Sequence, residues 1–467
     1  MLNYIWLALV VGAVIIGGWT NQLKEVTDRS LEMAKYAVVD IALPLVGIMA
    51  LWLGIMRLAE RAGLVALLAR LLRPLLRRLF ADVPPDHPAM GSMLMNMAAN
   101  ILGLGNAATP LGLRAMADLE TLNPRPGTAT NAMCTFLAIN TGSIQLIPVT
   151  AIAILAANQS VNPTAIVGTA LIATACGATW AVTTAKVLEK LPWFRLPSLP
   201  APPSDPSGDT AAETESETEK TANNRQQTSP AQPENRQAVV KEAASLQPLS
   251  AWRMTVLVVF LLFFAGLFVY LAFPGVFGRE LSEAAASQTV FVRVVGAISL
   301  LSVPFMLSIF PLYAALRGVK IYEEFVDGAK EGFEVAVRII PYLVAILVAI
   351  GMFRAAGGID LLSRALAPAL QAVGFPTDLL PLVLMRPLSG SGTLGIFTEL
   401  VKQFGPDSLI ARMGGTIFGS TETTFYVLAV YFGSVGIKRT RHAVLTGLST
   451  DLVAVVVAII VCRLMFG

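Results

Sequence analysis

Clusters of small polar residues interrupt the apolar segments of this chain at matching places in its two halves. The clearest cluster runs from Phe418 to Phe425 and holds five consecutive hydroxyl or carboxylate side chains. A weaker copy runs from Ile139 to Gln145. Backbone released from helical hydrogen bonding is not tolerated against lipid, so such a cluster must be buried in protein or line a wet cavity. We therefore predict two related membrane halves whose polar breaks meet in one site.

Two further landmarks precede these clusters in the same order. Leu94 to Asn100 corresponds to Leu384 to Gly392, and Ile41 to Ile48 corresponds to Ile339 to Ile346. Interrupted apolar segments at matching positions of two halves are typical of transporters with a site near the bilayer midplane. The extra apolar segment Trp252 to Phe273 changes the number of spans between the repeats and favours an inverted arrangement.

The composition predicts an all-α polytopic membrane protein. Of the 467 residues, 55% are hydrophobic and only 14% are charged, which is too apolar for a soluble surface. Cys134, Cys176 and Cys462 lack metal-ligand spacing, so we expect no metal and no cofactor. No catalytic triad, carboxylate pair or basic-aromatic stripe is visible, so neither an enzyme nor a nucleic-acid-binding protein is predicted.

A change of composition divides the chain into three parts. Residues 1–196 and 249–467 are the membrane halves, while residues 197–248 are rich in Pro, Ser, Thr and Glu and are predicted to be a disordered linker. Basic residues at both of its ends place this linker in the cytoplasm by the positive-inside rule. Leu23 to Val39 and Ile321 to Val337 carry charges on an otherwise apolar background and are predicted to be separate interfacial helices.

Two charged residues in apolar surroundings need an explanation. A charge at membrane depth costs ~2.5–3.5 kcal/mol on insertion scales unless it is paired or lies in a cavity. Glu422 carries a negative charge and Arg386 a positive charge in such surroundings, so we expect them to approach each other. They either form a structural salt bridge or hold a ligand between them. Asp451 precedes an apolar run and is interpreted as an ordinary N-terminal helix charge.

Two motifs resemble known families. Asn96 to Pro110 resembles the hallmark of spore maturation protein A, and Arg386 to Gly392 together with Gly419 to Thr424 resembles that of spore maturation protein B. The chain looks like a fusion of the two, with residues 1–196 as the A-like half and residues 249–467 as the B-like half. Both families belong to the nucleoside-recognition, or Gate, group.

This resemblance implies where a ligand binds. The Gly419 to Thr424 run is similar to the motif with which nucleoside transporters hold ribose hydroxyls. It implies Glu422, Thr421 and Thr423 as ligand contacts, with Asn140, Thr141 and Ser143 as the corresponding set in the first half. The full predicted substrate-binding set is Glu422, Thr421, Thr423, Ser420, Arg386, Ser389, Ser391, Asn96, Asn100, Asn106, Asn140, Thr141 and Ser143. The asparagines suit a ligand or the ends of neighbouring helices equally well.

The sequence thus favours a multi-pass protein of the bacterial inner membrane that binds a small polar solute, nucleoside-like or an envelope precursor, between two repeats. The alternative is a non-transporting membrane scaffold for spore or envelope maturation factors, in which Arg386 and Glu422 are only a structural pair. The expected partners are the lipid bilayer and a small polar ligand, without nucleic acid. A homodimer is the default assembly because twofold dimers are the commonest oligomers.

Overall fold

The computed structural model describes residues 2–103, 105–195, 247–277, 288–358, 361 and 374–467. Within these residues the chain forms seventeen α-helices and no β-strand, as the composition predicts. The predicted linker 197–248 falls outside them except at its last two positions. The helices are α1 (Leu2–Trp19), α2 (Leu23–Tyr36), α3 (Leu43–Arg61), α4 (Leu64–Leu79), α5 (Pro88–Leu102), α6 (Gly105–Glu120), α7 (Asn131–Thr141), α8 (Val149–Ala157), α9 (Ile166–Leu188), α10 (Ala251–Ala272), α11 (Val290–Leu316), α12 (Ile321–Ala355), α13 (Leu380–Met385), α14 (Gly390–Phe404), α15 (Leu409–Phe418), α16 (Thr424–Ser434) and α17 (Ala443–Phe466).

Five helical segments of the described residues are long and apolar enough to cross a membrane. They are Leu23–Arg61, Pro163–Leu188, Ala251–Ala272, Val290–Leu316 and Ala443–Phe466. Shorter apolar helices lie between them, including α15 and α16. Short apolar helices in series are what the polar clusters predict, because each cluster divides one segment of spanning length into two.

The predicted helix breaks occur at matching positions in both halves. In the first half α5 is separated from α6 and α7 from α8, and in the second half α13 is separated from α14 and α15 from α16. The first break turns at Gly103, whose φ of 78° is a conformation that glycine adopts without a steric penalty. Both α7 and α15 begin with a hydroxyl cap: Thr130 accepts from the Met133 amide and Ser408 from the Ala411 amide.

The first long helical segment and α12 pack side by side along their whole length. A π-helical turn, Ala37–Ala42, joins α2 to α3 and makes them one segment of 39 residues. Gly332 lies against the backbone of Ala50, and Gly351 lies against Met33. The contacting residue numbers rise in one helix while they fall in the other, so the two helices are antiparallel. Glycine permits the close approach, since a methyl group at Gly332 would lie 2.7 Å from Ala50 Cα.

Helices α9 and α17, the last of each half, are antiparallel as well. Gly177 of α9 lies against Ala454 of α17. Further along α9, the Trp180 Nε1 donates to Ser449 Oγ at 3.2 Å. The long helices therefore form two antiparallel pairs, α2–α3 with α12 and α9 with α17.

The prediction of separate interfacial helices is wrong for both segments. Leu23 to Val39 runs into α3 through the π-helical turn, and Ile321 to Val337 is the first part of the continuous helix α12. Some of their charges pair with other helices: Glu32 lies 3.1 Å from Lys402, and Glu331 lies 3.3 Å from Arg57. Arg61 Nε of α3, for example, lies 3.0 Å from Glu324 Oε2 of α12.

Candidate functional site

The break between α15 and α16, Gly419 to Thr423, packs its hydroxyl groups inward. Ser420 donates to the Ile417 carbonyl at 3.0 Å and so completes the last turn of α15. Ser420, Thr421 and Thr423 are buried, and only Glu422 of this group is half-exposed. The break therefore exposes one carboxylate, that of Glu422, while the side chains that carry its hydroxyl groups are buried.

The corresponding break of the first half touches this carboxylate. The Glu422 amide donates to the Thr141 carbonyl at 2.8 Å, where α7 ends. Gln145 Nε2 donates to Glu422 Oε1 at 3.2 Å, and Gln145 is half-exposed like its partner. Gly419 lies directly against Pro148, an approach that leaves no space for a Cβ atom. The polar breaks of the two halves thus meet, with Glu422 and Gln145 at their junction.

Arg386 is buried behind this junction, with 4% of its surface exposed. Its Nη1 donates to Thr423 Oγ1 at 3.3 Å, and its guanidinium lies 5.2 Å from the centroid of the Phe418 ring, a cation–π contact. Glu422 and Asp451 are the two carboxylates whose charges act on it. Between Arg386 and Glu422, both of which the structure describes, no ion pair within 4.0 Å is formed. The expected direct salt bridge is therefore replaced by a bond to the neighbouring hydroxyl.

The asparagines of the first half form a separate network. Asn100 Nδ2 donates to Asn140 Oδ1 at 2.9 Å, and Asn96 Nδ2 donates to the Ala108 carbonyl at 2.8 Å. Tyr431 of α16 donates to Asn140 Oδ1 at 3.4 Å. A second-half residue that sequence reasoning missed thus belongs to this network. Gly112 packs closely against both Tyr431 and Asn96, a tertiary contact that local sequence does not reveal.

The remaining predicted residues have different surroundings. Ser389 caps α14 by accepting from the Gly392 amide at 3.0 Å, and its hydroxyl lies 3.4 Å from that of Ser391. The hydroxyls of Thr141 and Ser143 are buried, and neither has a hydrogen-bond partner among the described residues. The side chain of Asn106 lies outside the described part of the structure.

Asp451 is the residue whose sequence interpretation is wrong. Helix α17 begins at Ala443, so Asp451 lies in its third turn and not at its N-terminus. It is 6% exposed and its Oδ2 accepts from Thr424 Oγ1 at 2.6 Å. The polar break therefore faces a second buried carboxylate, contributed by a different helix.

A cavity of about 440 Å³ lies elsewhere, between the loop that precedes α7 and the end of α9. Arg441 contributes to its wall, but its guanidinium already donates to the Ala129 and Phe194 carbonyls and to Asn131 Oδ1. The cavity contains none of the predicted substrate-binding residues. Arg441 is therefore engaged in hydrogen bonds within its own surroundings, and the charged residues Arg195 and Glu189 also line this cavity.

A protein-family model described as Gate, nucleoside recognition, matches residues 42–158 and 336–438. The first matched segment contains α5 to α8 and the second contains α13 to α16. Both segments therefore include the breaks that meet at Glu422 and Gln145.

Two proteins of Bacillus subtilis (strain 168) are similar to this chain over most of their own length. Spore maturation protein B is 46% identical over 175 residues, which are 38% of this chain and 98% of that protein. Spore maturation protein A is 44% identical over 174 residues, which are 37% of this chain and 88% of that protein. The chain belongs to the family of spore maturation proteins A and B. Matches of this extent are consistent with a fusion of the two.

Membership in this family agrees with the helical architecture and identifies a multi-pass membrane protein. The family model and both relatives confirm the resemblance that the motifs around Asn96, Arg386 and Glu422 predict. No solved structure matches the chain significantly.

Proposed function

We propose that this protein is a transporter-like protein of the bacterial inner membrane that binds a small polar solute between its two halves. The observation that carries the proposal is the junction of the two breaks, where the Glu422 amide bonds the Thr141 carbonyl and Gln145 bonds the Glu422 carboxylate. A half-exposed carboxylate and amide, backed by buried hydroxyls, offer both donors and acceptors to a solute. This arrangement suits hydroxyl and amine groups.

The antiparallel packing of corresponding helices supports inverted repeats. If α2–α3 and α12 correspond, and α9 and α17 correspond, two helices related by the repeat cross the bilayer in opposite directions. The axis that relates them then lies in the membrane plane, and residues close to it lie near the midplane. The antiparallel contacts of Gly332 with Ala50 and of Gly177 with Ala454 are compatible with such an axis.

The proposed solute is nucleoside-like or an envelope precursor. Glu422 accepts hydrogen bonds from its hydroxyl or amine groups, and Gln145 supplies one further donor and acceptor. Buried Arg386 fixes the backbone of the break through Thr423, and so positions Glu422. The description of the family, nucleoside recognition, agrees with this choice of solute class.

A thermal-shift screen of the purified full-length protein tests this function. Nucleosides, sugars, amino acids and envelope precursors are compared on the wild type and on Glu422→Gln. A ligand at 100 times its Kd stabilises a folded protein by about 2.7 kcal/mol. We expect at least one solute to raise the melting temperature of the wild type, with the shift reduced or lost in Glu422→Gln.

The matched control is Glu334→Gln, which removes an exposed carboxylate of α12. It should respond to the solute like the wild type. If no solute shifts the wild type, and Glu422→Gln only lowers the melting temperature, the carboxylate is structural and the scaffold alternative replaces the proposal.

A further inference from the structure

The carboxylate of Asp451 has one oxygen that the solute site does not use. Its Oδ2 accepts the Thr424 hydroxyl, and the Thr421 hydroxyl also interacts with this carboxylate. Its Oδ1 is buried, and no donor among the described residues lies within 3.5 Å in hydrogen-bonding geometry. A buried acceptor without a partner costs the full loss of its hydration. An additional group that binds this oxygen would remove that cost.

The charges around Asp451 do not balance. Arg386 and Glu422 are the charged groups that face it from the neighbouring breaks. One guanidinium and two carboxylates leave a formal charge of minus one in a cluster in which Arg386 and Asp451 are buried and Glu422 is partly exposed. Among the described residues Arg386 forms no ion pair with either carboxylate: its Nη1 donates to Thr423, and its Nε is buried without a partner. One more positive charge would make this cluster neutral.

In the first half, an uncharged residue makes the kind of contact with a helix break that Asp451 makes in the second half. Thr174 stands eight residues after the first residue of α9, as Asp451 stands eight residues after the first residue of α17. The Thr174 hydroxyl donates to the Ser143 carbonyl at 2.6 Å and so ties α9 to the break of its own half. A threonine therefore performs in one half the attachment that Asp451 performs in the other. The carboxylate requires a different explanation.

The break beside Asp451 begins at a helix C-terminus. Helix α15 ends at Phe418, immediately before the break, and the last carbonyls of a helix carry partial negative charge. In transporters with broken helices, such carbonyl groups and helix C-termini hold the coupling sodium ion or proton. Gly447 fixes the distance between the break and α17, because a methyl group there would lie 2.5 Å from Thr424 Cγ2.

We propose that Asp451 binds one monovalent positive charge, a sodium ion or a proton, at its free oxygen. Coupling of this charge to solute movement rests on the function proposed above. The binding of the charge itself does not, and it can be measured without any solute.

The test compares melting temperatures of the full-length protein in detergent. One arm replaces N-methylglucamine chloride with sodium chloride or potassium chloride at constant ionic strength and pH. The other arm varies the pH from 5 to 8 in N-methylglucamine chloride. Each arm is run on the wild type, on Asp451→Asn, on Asp451→Thr, and on the exposed control Asp327→Asn.

We expect the wild type and Asp327→Asn to gain about 2 °C or more, either in sodium over N-methylglucamine or as the pH falls. A gain in sodium chloride identifies the bound charge as a sodium ion, and a gain at lower pH identifies it as a proton. The gain should disappear in Asp451→Asn. Asp451→Thr, which copies the first half, provides the same readout if the asparagine variant does not fold.

A wild type whose melting temperature is the same in all salts and at all pH values overturns the proposal. So does a gain that persists in both Asp451 variants. Because no solute is present, failure of the solute screen leaves this result unchanged, and a flat ion response leaves the solute screen unchanged.

Discussion

Replacement of Arg386 with methionine is expected to lower the free energy of unfolding by about 3–5 kcal/mol. This is the range measured when one member of a buried set of opposite charges is removed. Methionine keeps most of the volume but loses the cation–π contact with Phe418. It removes the one positive charge that acts on Asp451 among the described residues, and it leaves the Thr423 hydroxyl without this donor. The measurement is thermal or denaturant unfolding of the purified variant.

A second substitution distinguishes charge from packing. Asp451→Asn in the Arg386→Met background removes one uncompensated carboxylate, so the double variant should recover part of the lost stability. Arg77→Met on the exposed side of α4 is the control and should unfold like the wild type. Unfolding of Arg386→Met at the wild-type midpoint would show that its charge is not needed in this cluster.

The buried carboxylate of Glu399 leads to the second large effect. Glu399 of α14 is 2% exposed, and its Oε1 lies 3.1 Å from Arg354 of α12 and 3.4 Å from Arg29 of α2. The double variant Arg29→Met/Arg354→Met leaves this carboxylate buried without those partners. We expect a loss of about 3–5 kcal/mol in the free energy of unfolding.

Addition of Glu399→Leu to that double variant should restore most of the stability. A buried ion pair replaced by apolar side chains of similar volume is often neutral or stabilising. Denaturant unfolding of the single, double and triple variants gives the comparison. If the triple variant is no more stable than the double variant, the arginines contribute through other contacts and not through the charge of Glu399.

The helix breaks could be predicted because the residues that cause them are close to one another in the sequence. Gly103 adopts a positive φ and Ser389 caps the helix that follows it, and both residues act within three positions of their own place in the chain. The same local signal marks the break from Gly419 to Thr423. Breaks of this kind need no knowledge of distant residues.

The partners of the charged residues could not be predicted in the same way. Arg386 was expected to pair with Glu422, but a hydroxyl one residue away, on Thr423, lies closer to its guanidinium. The charges of the first long helical segment have the pattern of an interfacial helix. Only the packing reveals that Arg61 pairs with Glu324 of a helix distant in sequence.

The position of Asp451 within its helix could not be predicted from neighbouring residues either. The apolar run that follows it predicts the start of a helix, whereas α17 begins at Ala443. The first turns of α17 pack against both halves, with Gly447 against Thr424 and Ser449 bonded to Trp180. Contact with Thr424 is a tertiary feature, and nothing in the residues beside Asp451 indicates it.

Cysteine accessibility at position 422 tests most directly whether the junction of the two halves is a solute site. The protein is first freed of Cys134, Cys176 and Cys462, and then Glu422→Cys and Gln145→Cys are introduced separately. Thr135→Cys is the control, because Thr135 is fully buried. Each variant in sealed vesicles is treated from each side with a water-soluble, membrane-impermeant thiol reagent.

We expect positions 422 and 145 to react from at least one side of the membrane, and position 135 to stay unreactive. Reaction at the two junction positions would show that water, and so a polar solute, reaches the place where the breaks meet. Absence of reaction at both positions from both sides would contradict the solute site, because the junction would then be a dry structural contact.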